Sequence, residues 1–131
     1  MSLTMRFEYL ADGSLDCPLI RLYDFDAAAA TRLRRLVTSL SDGSVGRVVL
    51  DERQKITLVD GCKLALVGGA SDHGVVRMAA SNQFECVLTP ASWANVAELI
   101  EPFCEPGAPN GFQWLDETSD ISLLLSPDGL W

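Results

Sequence analysis

Two stretches of this chain match each other, and that match constrains the fold more than any other feature. Val49–Val59 and Trp114–Leu124 share five of eleven residues: Leu50/Leu115, Asp51/Asp116, Glu52/Glu117, Ile56/Ile121 and Leu58/Leu123. Thr57/Ser122 and Val59/Leu124 are conservative replacements. Each stretch reads as a hairpin with an acidic tip, and each follows a helix that itself follows a strand pair. Two tandem β-β-α-β-β units, over about residues 5–60 and 62–126, account for that order. A lone unit of this size buries little, so the two should share a sheet. The predicted fold is α+β: an antiparallel sheet with two helices packed on one face, related by an approximate two-fold axis. At 131 residues the chain is expected to form a single domain, residues 1–131.

The helices carry the clearest periodicity. Ala29, Ala30, Leu33, Leu36, Val37 and Leu40 form one apolar stripe and predict a helix over 26–41. Asp24 or Asp26 can cap its start, because a short carboxylate satisfies free amide groups there. Gly43 is placed to end it in a left-handed conformation. The second helix opens at Thr89-Pro90, a hydroxyl cap followed by proline at the first helical position. Trp93, Val96, Ala97 and Ile100 make its stripe, and Pro102 should end it.

The rest reads as strands: 5–10, 18–23, 45–51, 55–59, 62–68, 74–80, 83–88, 112–116 and 120–126. That exceeds the usual strand share of a globular chain, so one or two are expected to drop out. Asp60-Gly61, between Ile56–Val59 and Cys62–Val67, predicts a two-residue hairpin. Asp12-Gly13 predicts a longer turn, and Glu105–Gly111, with two prolines and two glycines, predicts a loop.

Charge divides the chain. Residues 1–65 hold nine acids and nine bases, whereas 66–131 hold nine acids and one base, Arg77. The whole net charge of −8 therefore falls in the second half, and such an imbalance bears on partners more than on fold. Two lysines and a pI near 4.4 exclude a nucleic-acid surface, despite the Arg32-Arg34-Arg35 cluster. Those arginines read as a solvated helix face or a contact to acids. The apolar stretches are strand-sized, the longest being Ile121–Leu125, so no membrane span is expected. Cys17, Cys62, Cys86 and Cys104 form no Cys-x-x-Cys pair, and the first residues lack a signal-peptide profile. Free thiols in a bacterial cytoplasm are the expectation, with Cys62 and Cys86 in the core.

No catalytic or cofactor motif stands out. His73, the one histidine, lies in a glycine-rich connection with no nucleophile motif beside it and reads as an exposed turn residue. Gly68-Gly69 leads into a strand rather than the helix a phosphate loop needs. The tips Asp51-Glu52 and Asp116-Glu117 could pair carboxylates for acid–base work or a hard cation. They fit solvated turns better, so no metal and no cofactor are expected.

What remains is a non-enzymatic protein-interaction module, for example a toxin-neutralising or inhibitor-type protein. Glu98, Glu101, Glu105, Asp116, Glu117 and Asp120 are the expected acidic face for a basic protein partner. Leu130-Trp131 gains from burial against its own sheet or a second chain, which makes it the expected site of homodimer contact. A homodimer could also form by basic helix on acidic face. The alternative is a small-molecule-binding domain with an apolar cleft between sheet and helices, lined by Trp114, Tyr23 and Arg21. An enzyme built on His73, Cys86 or the acidic tips ranks third.

Overall fold

A computed structural model describes residues 5–11, 18–50, 56–79, 82–105 and 111–127. The Asp12-Gly13 turn, Cys17, the Asp51-Glu52 tip and Leu130-Trp131 lie outside the described residues.

All nine candidate strands are present, so the predicted loss of one or two does not occur: β1 Met5–Leu10, β2 Leu19–Tyr23, β3 Arg47–Leu50, β4 Ile56–Leu58, β5 Lys63–Gly68, β6 Gly74–Arg77, β7 Gln83–Leu88, β8 Gln113–Asp116 and β9 Ser122–Ser126. The helices are α1, Ala27–Ser41, and α2, Pro90–Ile100. The fold is α+β, as the sequence predicts. The single antiparallel sheet is not found. There are two mixed sheets, one in the order β4-β1-β2-β9-β8 (sheet A) and one in the order β3-β5-β7-β6 (sheet B). Three pairs are parallel: β1 with β4, β2 with β9, and β5 with β7. The physical reason lies in β5 and β9. Leu64-Ala65-Leu66 and Leu123-Leu124-Leu125 are buried on both faces, as interior strands of mixed sheets require.

The Asp60-Gly61 hairpin is corrected for the same reason. Val59–Gly61 forms a short 3-10 turn, and the chain passes through it from the edge of sheet A into the interior of sheet B. Both favoured two-residue hairpin turns, types I′ and II′, would need positive φ at the first central residue, Asp60. Gly61 has it, at +69°, whereas the one described non-glycine residue that does is Asp24.

The matching stretches also behave differently from expectation. Trp114–Leu124 holds an antiparallel pair, β8 with β9, with a bulge between Trp114 and Asp116. Val49–Val59 is no hairpin, because β3 pairs with β5 in sheet B and β4 pairs with β1 in sheet A. The pairing nonetheless has internal order. Along β1-β2-β9-β8 the senses run antiparallel, parallel, antiparallel, and along β6-β7-β5-β3 they run the same way. That correspondence equates β9 with β5, whereas the sequence match equates β9 with β4. The two do not coincide, so the fold does not establish a tandem repeat.

Both helices begin and end where local chemistry dictates. The Asp26 carboxylate accepts the Ala29 amide at 2.9 Å, and Gly43, at φ +80°, closes the far end of α1. The Thr89 hydroxyl accepts the Ser92 amide at 3.3 Å and Pro90 opens α2. The helix gives way at Glu101–Cys104 to a 3-10 turn containing Pro102. The predicted stripes pack against each other and onto both sheets, with Ala29, Leu33, Val37, Leu40, Trp93 and Ile100 all buried. Burial of each large side chain contributes roughly 1.5–3 kcal/mol. The inner faces of the sheets meet where Tyr9 of β1 lies against Phe84 of β7, ring centroids 4.7 Å apart. One cluster of buried residues thus draws on both halves of the chain.

Candidate protein-interaction surface

The six predicted acids fall into two groups on different elements. Glu98, Glu101 and Glu105 occupy the last turn of α2 and the segment after it, all exposed. Glu117 and Asp120 are exposed in the β8–β9 connection, and Asp116 is half-buried at the end of β8. Asp116 is committed locally. Its carboxylate accepts the Thr118 hydroxyl at 2.6 Å, which shapes the turn. Among the described residues only Glu101 of the six enters an ion pair, with Arg34 of α1 at 3.7 Å. Both partners are well exposed, so that pair screens the carboxylate without removing it from water.

The α2 group stands in an unfavourable place. The C-terminal end of a helix carries a partial negative charge from its aligned peptide dipoles, and carboxylates there are destabilising by about 0.3–1 kcal/mol each. Helix ends normally recruit lysine or arginine at this position. The last turn of α2 has none and carries Glu98 instead, with Glu101 as the capping residue. Glu101 recovers part of that cost through Arg34, whereas Glu98 has no ion pair among the described residues.

Other candidates take structural roles. His73 is exposed, and its amide donates to the Val87 carbonyl at 2.9 Å. Neighbouring Asp72 holds the start of α2: its carboxylate accepts the Thr89 amide and the Ser92 hydroxyl, both at 2.8 Å. Those two bonds hold the Asp72 carboxyl below its ordinary value of 3.8. The Thr89 cap shows in the sequence because it is local, whereas the Asp72–Thr89 bond spans 17 residues and leaves no local pattern. Gly69 is explained by packing, since a Cβ there would lie 2.7 Å from Val87 Cγ1. Cys86 is fully buried, and burial, with smaller contributions from Asp116 and Asp72, pushes its thiol far above the usual range. No group of three histidine, cysteine, aspartate or glutamate side chains among the described residues could hold a metal ion.

Trp114, Tyr23 and Arg21 share one face of sheet A, but it is the face opposite the core residues Ile20, Leu22, Leu123 and Leu125, so they do not line the expected cleft between sheet and helices. Arg21 lies opposite Leu124, which lies opposite Trp114. The Arg21 guanidinium sits 4.0 Å over the Tyr23 ring and donates Nε and Nη2 to Glu8 Oε1, at 3.0 and 2.8 Å. A cavity of about 150 Å³ lies elsewhere, on the outer face of sheet B, where Arg47, Val49, Lys63, Ala65, Met78 and Glu85 line it. That face also carries three of the exposed large apolar side chains, Val49, Val76 and Met78.

Comparison of the chain with protein-family models, with curated proteins and with solved structures returned no match. No helix among the described residues is long and apolar enough to cross a membrane.

Proposed function

We propose that the chain is a non-enzymatic protein-interaction module of the cytoplasm that receives a basic partner protein on its carboxylates. The observation that carries this reading is the acidic end of α2. Glu98 and Glu101 sit where the helix dipole opposes them, with Glu105 close behind. Side chains kept against local stability are expected at sites of function. Glu117 and Asp120 add exposed charge, and Arg77, the one base in residues 66–131, is drawn toward the Tyr9 ring, 5.3 Å from its centroid. An acidic surface of this kind speeds encounter with a cationic protein and discriminates against anionic ones. Neutralisation of a basic toxin or nuclease is the concrete form favoured here.

The test is affinity capture at low and high salt with the wild-type chain and with a Glu98→Lys/Glu105→Lys/Glu117→Lys variant. A basic protein retained by the wild type at low salt, and lost both at high salt and with the variant, supports the reading. Capture of nothing at low salt, or equal capture by the variant, refutes it.

A further inference from the structure

The strand register sets the outer face of sheet B. Arg47, Val67 and Val87 form one cross-strand row, and Val49, Ala65, Glu85 and Val76 form the next. Side chains alternate across a strand, so these residues stand opposite Val48, Leu50, Leu64, Leu66, Val75 and Cys86, which face the core. Both rows are mainly valine, and Val49 and Val76 are 38% and 40% exposed.

Topology accounts for an apolar face with no helix on it. A parallel pair is normally covered on both sides, because a helix carries the chain from one strand to the next. β5 and β7 are such a pair, yet the chain passes between them through the edge strand β6. Both α1 and α2 pack on the core side.

The face is complementary to itself. β5 and β7 run one way, and β3 and β6 run the other. A two-fold axis along the strands, midway between β5 and β7, stacks β5 on β7 and β3 on β6 with matched senses, as in aligned sheet packing. Val67 then meets Val87, Val49 meets Val76, and the longer Glu85 meets the small Ala65. Arg47 already reaches across β5 to Glu85 of its own chain. The same reach brings its guanidinium to the Glu85 that a second copy lays over Ala65. An all-acidic or all-basic partner would meet a like charge at Glu85 or at Arg47. An identical face offers each its opposite, as a two-fold contact requires.

We propose that this face binds a second copy of the chain, sheet B against sheet B. Four strands about 4.8 Å apart make a patch of roughly 400 Å² per copy. A standard interface takes about 800 Å² per partner, so the pair is weak, with a dissociation constant on the order of 0.1 mM. Each copy carries a net charge of −8, and salt screens their repulsion, so association strengthens with ionic strength. Capture of a basic partner weakens with salt instead. None of the acids invoked for that partner lies in this patch, so either surface can fail without the other.

Sedimentation equilibrium of the full chain at low and high salt, up to about 1 mM, is the test. The expected mass rises with concentration from one copy toward two, and rises further at high salt. Val76→Lys alters an exposed side chain and should weaken association about tenfold or more with the melting curve unchanged. Arg47→Glu and Glu85→Arg each make the patch one sign and should each weaken it alone. Mixed in equal amounts, the two variants should pair with each other. A one-copy mass at about 1 mM in high salt overturns the proposal. So does a pair that Val76→Lys leaves intact, or a mixture of the two charge variants that associates no better than either alone.

Discussion

The Asp72 carboxylate accepts the Ser92 hydroxyl at 2.8 Å and so ties the glycine-rich connection before β6 to the first turn of α2. With the Thr89 amide as its other donor, the carboxylate is stabilised in its charged form and its pKa lies below 3.8. A depressed carboxyl pKa adds stability that is present above the unfolded value and is lost as pH falls through the folded one. Urea midpoints of wild type and Asp72→Asn should therefore differ most near neutral pH. The difference should begin to shrink below about pH 4 and close only after the pH has fallen through the folded-state value, where the wild-type carboxyl is neutral too. A constant difference down to pH 2 would contradict this assignment.

Gly74 is the most crowded of the described glycines that have positive φ. Its φ is +73°, and a Cβ would lie 2.8 Å from the Ser119 amide nitrogen and 2.9 Å from an Asp116 carboxylate oxygen. Gly43, at φ +80°, has nothing within 4 Å. Gly43→Ala should cost about 1 kcal/mol, from backbone strain alone. Gly74→Ala should cost about 2–4 kcal/mol, because the β8–β9 connection must also shift. Thermal melts of the two variants isolate the crowding term.

The Glu8–Arg21 pair is partly buried, with side chains 20% and 19% exposed. Arg21→Met leaves the Glu8 carboxylate without the two N–H donors that meet Oε1 and should cost about 1–3 kcal/mol in urea unfolding. Adding Glu8→Gln should recover part of that loss, and a double-mutant cycle measures the coupling. Simple additivity would place the stabilising contact elsewhere.

Thiol labelling should be graded. Cys86 is fully buried with its thiolate disfavoured, and Cys62 is 8% exposed, whereas Cys104 is half-exposed on the 3-10 turn after α2. Brief treatment of the native chain with iodoacetamide, followed by peptide mapping, should modify Cys104 well before Cys62 or Cys86. Early alkylation of Cys86 would mean that sheet B opens readily.

The helices were fully legible in the sequence because their signals are local. Asp26, Gly43, Thr89 and Pro90 act on residues within one turn of themselves, and each stripe repeats at helical spacing. The strands were legible as elements for a similar reason. Their partners were not. The run from Ile56 to Val67, with Asp60-Gly61 in its middle, has every local mark of a hairpin, yet β4 and β5 belong to different sheets. What decides this is the demand of β1 for an edge partner and of β7 for an apolar neighbour, both remote in sequence. The candidate surface was legible only as composition. Charge counting singled out Glu98 and Glu101, but their position against the α2 dipole needs the helix end itself. The place of β3 at the end of sheet B left no local mark, since Arg47-Val48-Val49-Leu50 reads the same in an interior strand as at an edge.

The β1–β2 pair finds its neighbour in β9, so sheet A is stitched from both ends of the chain, whereas sheet B draws on residues 47–88 alone. During synthesis, therefore, sheet A must wait: its middle stays bare until residues 122–126 have cleared the ribosome. Until then Leu19, Ile20 and Leu22, all buried in the native fold, lack the β9 neighbours that cover them, and this long-range pairing is the step expected to slow folding.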